Sequence, residues 1–243
     1  MSFELAVLVT GAFVAALASG AAGFAFGLVG LAIWLHALDP SRAVPLVVIC
    51  SMLLNMAMIW RLWGSVNLRR LSPFLVGAVF GVPLGVAALT WVDPVMLRQG
   101  VGVLLVLYSI YMLTLTRLPV INPSPMKARA ADTGFGALGG FMGGSTGLNG
   151  VFPTLWSTLR GWNKSEQRGV FQPYILLVHT YTLMWFGGAG TLGRQTLIDL
   201  AWAMPFVVAG GYIGLQLFNR TSEAGFRKLL LGLFLISGVL LLL

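Results

Sequence analysis

The tract Gly143-Gly144-Ser145-Thr146-Gly147-Leu148-Asn149-Gly150 sets two hydroxyls and an amide among glycines, inside an otherwise apolar run. A weaker twin, Gly20-Ala21-Ala22-Gly23-Phe24-Ala25-Phe26-Gly27, stands near the N-terminus. Glycine breaks a helix and lets backbone approach a ligand. A broken helix inside a membrane leaves unpaired N–H and C=O groups, tolerated only where protein, water or a ligand satisfies them. Two helices meeting at such a tip direct free N–H groups and a positive dipole end to one place, which suits a small anion. The expected site lies between the two tips, with Gly23, Phe24 and Gly27 from the first. The second supplies Ser145, Thr146, Gly147, Asn149 and Gly150, with Thr146 and Asn149 as donors. Close helix packing is the competing reason for such glycines. Hydroxyl, amide and glycine together exceed what packing needs.

Further polar groups interrupt the apolar runs. Asn55 lies within one segment, and Gln172, His179 and Thr180 lie within another. An ionisable group inside a membrane span is a functional candidate by default. Asn55, Gln172 and His179 are therefore expected to line the substrate path. Arg168, with Gln167 before it, is expected at its entrance, attracting anions, although such an arginine also serves as an interfacial anchor. No residue is assigned a catalytic role. The acids Glu4, Asp39, Asp93, Asp132, Glu166, Asp199 and Glu223 stand at segment ends or in turns, which offers no proton or sodium relay. His36 and His179, far apart, make no metal site. There is no HExxH, P-loop or Gly-x-Ser-x-Gly pattern, and no cofactor is expected. The lone Cys50 excludes an internal disulfide.

The elements that must position these residues are read from the apolar runs. The 243 residues are 58% hydrophobic and only 9% charged, against about 25% charged in a soluble domain. Apolar runs recur over Phe3–Leu38, Ala43–Trp60, Leu71–Trp91, Gln99–Thr116, Thr133–Leu159, Gly169–Gly188, Leu197–Phe218 and Leu229–Leu243. They are too long and unalternating for barrel strands, so the chain is an all-α polytopic membrane protein with roughly eight hydropathy segments. The net charge of +8 comes from residues at segment ends, without the basic face a nucleic-acid binder presents. Most tryptophans also sit near segment ends and read as an interfacial belt. Ala16-Leu17-Ala18 resembles a signal-peptide cleavage site, but the positive n-region is missing.

The chain repeats itself. Gly64 to Leu71 aligns with Gly193 to Leu200, Gly81 and Gly85 with Gly210 and Gly214, Gly20 and Gly23 with Gly144 and Gly147, and Ser41 with Ser165. At the last offset Asn55 falls opposite His179. The expected organisation is a first transmembrane repeat over 1–118, a linker over 119–132 and a second repeat over 133–243. If every segment crossed once, the basic residues would divide evenly between the two sides. If the two glycine-broken segments enter and leave on one side, only Arg42, Arg98 and Arg194 fall opposite the rest, a positive-inside bias. Phe3–Leu38 as one helix would also run about 54 Å, against a hydrocarbon core of about 30 Å. This predicts two inverted repeats, each a glycine-broken, re-entrant helical hairpin plus about three transmembrane helices. Basic loops would be cytoplasmic and both termini outside. The first broken segment as two full crossings fits the same charges.

These residues resemble the TauE/SafE family of bacterial membrane transporters. The resemblance rests on Gly23–Leu28, Asp39–Leu46, Gly81–Gly85, Gly143–Gly150, Arg160-Gly161-Trp162 and Gln167–Gln172, and covers essentially the whole chain. It implies an inner-membrane location and transport of sulfur-containing anions such as sulfite or sulfonates. The first tract, Ala21-Ala22-Gly23-Phe24-Ala25, is bulkier than the Gly-x-Gly-Gly-Gly form of many members. The expected function is a secondary transporter or facilitator working by alternating access. Its partners would be a small anion and the lipid bilayer, with self-association left open and no nucleic acid. The alternatives are a transporter of another metabolite, such as a carboxylate, and a membrane enzyme or assembly subunit that passes no solute.

Overall fold

A computed structural model of the chain describes residues 3–22, 25–59, 66–114, 120–188, 190 and 192–218, with 231–232, 234–236, 238–239 and 241–242 near the C-terminus. Among these residues there is no strand. The helices are α1 (Phe3–Ala22), α2 (Phe26–Trp34), α3 (Pro40–Ile59), α4 (Leu68–Trp91), α5 (Pro94–Thr114), α6 (Pro125–Thr146), α7 (Val151–Leu159), α8 (Lys164–Gly188) and α9 (Arg194–Phe218). Five of them, α1, α3, α4, α5 and α9, are long and apolar enough to cross a membrane. Gly23 and Phe24, Trp60 and Trp63, and the loop cations Arg61, Arg117, Arg220, Arg227 and Lys228 lie outside the described residues.

Both glycine tracts interrupt helices, but unequally. The sequence reading sets two short helices on either side of each glycine tip. Instead α1 has 20 residues and α2 nine, and α6 has 22 and α7 nine. A nine-residue helix is about 13 Å long, less than half a hydrocarbon core. Each short helix runs back along its long partner. Trp34 donates its indole N–H to the Leu8 carbonyl at 3.0 Å, while Gly30 lies against Ala15. In the second tract Trp156 donates to the Asp132 carboxylate at 2.7 Å, and nearer the break Gly139 faces Pro153 and Gly143 faces Asn149. Ion pairs lie away from each break: Glu4 of α1 meets Arg42 at the start of α3 at 3.6 Å, and Asp132 of α6 meets Arg160, which follows α7, at 3.2 Å.

The contacts form two compact units, each drawing on both halves of the chain. One holds residues 1–54, 92–116 and 191–243; the other holds 55–91 and 117–190. In the first unit α1 packs on α9, and in the second α4 packs on α6. Both interfaces are glycine-lined, so that backbones touch. A Cβ on Gly81 or Gly85 would strike the carbonyl of Ala137 or Phe141, and one on Gly210 or Gly214 would strike that of Phe13 or Leu17. Reciprocally, Gly144 abuts the Val82 carbonyl and Gly20 that of Gly211. The glycines that align in the sequence thus make matching contacts in the two units.

A second matching contact lies at the helix starts. Arg42, at the start of α3, reaches the buried carboxylate of Asp199 in α9 at 3.1 Å, and Gln195 donates to that carboxylate at 2.9 Å. In the other unit Arg70 of α4 reaches Glu166 of α8 at 2.8 Å. Arg70 aligns with Asp199, and Arg42, following Ser41, aligns with Glu166. The two pairs are equivalent, with their charges exchanged.

Three details differ from the sequence reading. The polar stretch before Thr133 is partly helical: Ser124 is extended and Pro125 occupies the first helical position of α6, where its fixed φ favours a helix and no donor is needed. Asp132 and Asp199 stand within helices, buried in ion pairs. Trp156 and Trp162 are buried rather than belt residues. Trp156 stacks on Phe135 at 4.8 Å, and Trp162 packs on Phe74 and Phe171 under the Arg70 guanidinium. Trp91, at 86% exposed, does face outward.

Candidate functional site: the glycine tip of the second unit

The α6–α7 break is built from local rules. Gly147 takes a left-handed conformation (φ 75°), and its N–H and that of Leu148 return to the carbonyls of Gly143 and Met142. A side chain is disfavoured there, which is why the helix stops at this glycine. α7 then starts at Val151, whose N–H turns back to the Leu148 carbonyl at 3.4 Å, while Pro153 has no N–H and the Thr154 N–H takes the Gly150 carbonyl at 3.0 Å, which leaves Phe152 as the residue of the first turn whose N–H the helix itself cannot use. Every residue from Gly143 to Gly150 is buried, as irregular backbone at membrane depth must be.

α8 closes one side of the tip. Tyr174 donates its hydroxyl to the Gly136 carbonyl at 2.8 Å, and Val178 lies where a side chain on Gly143 would go. Asn149, 2% exposed, donates its side-chain amide to the Ile175 carbonyl at 3.2 Å. One of its two amide N–H bonds therefore ties the tip to α8. Gln172 and His179 stand one turn before and one turn after Ile175. Both are buried, and Gln172 Oε1 and His179 Nδ1 have no hydrogen-bond partner among the described residues.

The structure redistributes the other expected roles. Thr146 and Ser145 donate to the carbonyls of Met142 and Phe141 in their own helix, at 2.7 and 2.9 Å, so their oxygens are left as acceptors. Thr180 is exposed and bonds back to Leu176. Thr182 is the buried threonine of α8, three residues past His179, and Thr154 is its counterpart on α7; neither hydroxyl has a partner among the described residues. The periodicity of an α8 face through Ile175 and His179 would have found Thr182. Gln167 donates to the Trp162 carbonyl at 3.0 Å and braces the turn before α8. Arg168 sits on α8 one turn before Gln172.

From the first tract, Gly27 and its neighbours Ala25 and Phe26 are buried, and Phe26 meets Trp34 edge to face at 6.0 Å. This tip belongs to the other unit, whereas Asn55 is buried in α3 at the point where the second unit begins.

The start of α8 is fixed by a capping box. Asn163 Oδ1 accepts from the Glu166 N–H at 2.9 Å, and Glu166 Oε2 accepts from the Asn163 N–H at 3.1 Å. That backbone N–H, together with Arg70, holds the Glu166 carboxyl below its ordinary pKa. The sequence suggested only a polar turn here.

The tip is thus buried, closed by glycine and held to a neighbouring helix that carries an unpartnered polar atom one turn to either side of Ile175. The sequence matches the profile of the family described as sulfite exporter TauE/SafE over residues 8–241. The chain belongs to the TauE/SafE family. It is a multi-pass membrane protein, and TauE/SafE proteins are transporters rather than enzymes. No curated protein and no solved structure matches it.

Proposed function

We propose that this TauE/SafE protein is an inner-membrane secondary transporter of small sulfur-containing anions, with the Gly143–Gly150 tip as an anion-binding element. The observation that carries the reading is the buried tip itself. It presents the Phe152 N–H at the start of α7 and the second N–H of Asn149, whose first is tied to Ile175, and the α8 turns on either side of Ile175 carry Gln172 and His179, whose buried Oε1 and Nδ1 have no hydrogen-bond partner among the described residues. Buried polar groups are ordinarily satisfied, so unpaired ones beside a helix N-terminus are explained by a ligand that arrives and leaves. In this reading Arg168, one turn before Gln172 on α8, draws anions to the site.

In this reading the broken segments are re-entrant and belong to two inverted repeats, with basic loops cytoplasmic and both termini periplasmic. The Asp132–Arg160 pair marks one membrane boundary. Thr146 lies fourteen residues further along α6, about 21 Å, inside a core of about 30 Å. The site is exposed to the two faces alternately.

The test is uptake of labelled sulfite or methanesulfonate into proteoliposomes, with thermal stability measured against sulfur oxyanions, sulfonates, acetate and chloride. A ligand that binds only the folded state raises stability by mass action. Stabilisation and uptake by a sulfur anion, with acetate inert, support the proposal. Equal or better response to acetate replaces it with a carboxylate transporter.

A further inference from the structure

The repeat allows the two broken segments, and the helix after each, to be compared position by position. α1 ends at Ala22 and α6 at Thr146, and α3 begins at Pro40 and α8 at Lys164; both pairs have the same offset in sequence. Leu8 and Asp132, at that offset, each accept an indole N–H from the short helix that follows, one from Trp34 and the other from Trp156. Gly11 and Phe135, again at that offset, lie against the same two rings: a side chain on Gly11 would meet Trp34, and Phe135 stacks on Trp156. The register read from the glycines is therefore carried by contacts within each unit.

Gln172, His179 and Thr182 recur at helical spacing with Ile175 on one face of α8. Their Oε1, Nδ1 and Oγ1 atoms, and Oγ1 of Thr154 on α7, are buried without a hydrogen-bond partner among the described residues. The same register puts Val48 of α3 in the place of Gln172, Met58 in that of Thr182, Gly30 of α2 in that of Thr154 and Ala25 in that of Asn149. Val48 and Ala25 are fully buried, and Gly30 lies against Ala15 and Val47. The two exceptions are Asn55, which stands in the place of His179, and Ser51, which stands in that of Ile175. The same backbone arrangement is thus completed without a polar side chain at the places of Asn149, Thr154, Gln172 and Thr182. The first unit has a buried hydroxyl of its own without a partner, on Ser19, but it stands by itself at the place of Gly143.

Buried polar groups are ordinarily satisfied, and the repeat shows that packing does not call for these. Resting on the anion-site reading above, we infer that Thr154 and Thr182 bind the anion alongside Asn149 and Gln172, and that this set gives the chain one anion site, in the second unit, rather than one in each repeat. Each threonine hydroxyl can donate one hydrogen bond to an oxyanion. The first tip keeps the broken-helix architecture, with Phe26 packed on Trp34, and contributes no side-chain donor from Ala25, Gly30 or Val48. The duplicated frame is retained while the ligand chemistry belongs to one copy.

The experiment is isothermal titration calorimetry of the purified full chain with methanesulfonate and with sulfite, alongside thermal melts. One anion per chain is expected. Thr154→Val and Thr182→Val keep the side-chain shape and remove the hydroxyl; each should weaken binding about tenfold or more without lowering Tm. Thr154→Ser and Thr182→Ser, which keep the hydroxyl, should bind within about threefold of the wild type. Ser19→Ala, in the first unit, should leave affinity unchanged. Two anions per chain, or a Ser19→Ala loss as large as those of the valine variants, overturns the inference while the anion site stands. So does unchanged affinity in either valine variant, with a lowered Tm marking a hydroxyl held by buried water instead. No binding of either anion by folded wild type removes the anion site and the inference together.

Discussion

Replacing Gln172 by methionine separates a ligand-binding role from a structural one, because the two predict opposite changes in stability. Gln172 is 4% exposed, and its Oε1 has no hydrogen-bond partner among the described residues. A buried acceptor left unsatisfied costs about 1–3 kcal/mol. Methionine has nearly the same length and flexibility and no such acceptor to desolvate. Part of the gain is lost to imperfect packing, which leaves a stabilisation of about 1 kcal/mol. For a chain of this size that is a rise of about 2–4 °C in Tm. Anion binding should move the other way. Losing a hydrogen bond to a charged ligand costs about 1.5–3 kcal/mol, roughly a tenfold to hundredfold loss of affinity. Intrinsic-fluorescence melts of the wild type and Gln172→Met, each with and without saturating methanesulfonate, read both quantities. A higher baseline Tm with a much smaller ligand shift is expected. A lower baseline with an unchanged ligand shift would mean that Gln172 supports the fold and takes no part in binding.

Asn149→Ala removes the buried bond to Ile175 as well as a ligand donor, so it should lower stability by about 1–3 kcal/mol and weaken anion binding together; thermal melts with an anion titration measure both. Gly81→Ala drives a methyl into the Ala137 carbonyl and should sharply reduce folded protein. Gly134→Ala, in the facing helix but with nothing within 4 Å, should be neutral or stabilising by up to about 1 kcal/mol; size-exclusion yield and melts compare the two. Glu166 has a lowered carboxyl pKa, so its contribution is complete above the ordinary value of 4.5 and is lost as pH falls through the folded value. The Tm difference between wild type and Glu166→Gln should therefore shrink below that pH, and since the group is well solvated it should stay within about 1 kcal/mol.

Glycines and isolated polar residues stand out against an apolar background, which is why the two helix breaks, Asn149, Gln172 and His179 were legible before any coordinates. The register of Gly81 and Gly85 against Gly210 and Gly214 was legible for the same reason, and it reappears as matching backbone contacts. What stayed hidden depends on partners distant in sequence. Asp199 reads as a turn acid until Arg42, 157 positions away, is seen beside it. Trp156 and Trp162 look interfacial until Asp132 and Phe74 are found against them. Thr182 was passed over for Thr180 because hydropathy carries no helical phase. The unequal arms of the broken segments were obscured because charged Lys127, Arg129 and Asp132 made the first turns of α6 resemble a linker.

The exchanged ion pairs bear on how the chain recognises itself. Arg42 and Arg70 both belong to its N-terminal half, and their partners Glu166 and Asp199 both belong to its C-terminal half. Were two N-terminal halves to assemble in the same manner, arginine would meet arginine at both places; two C-terminal halves would set carboxylate against carboxylate. Each half is thereby complementary to the other and repelled by its own copy, which discriminates against the wrong pairing at least as much as it favours the right one. During synthesis in a crowded membrane, a first half waiting for its second is discouraged from pairing with a neighbouring chain's first half. The two halves expressed as separate polypeptides should co-purify as a one-to-one complex and not as dimers of either, and reversing the charges of one pair alone should relax that preference.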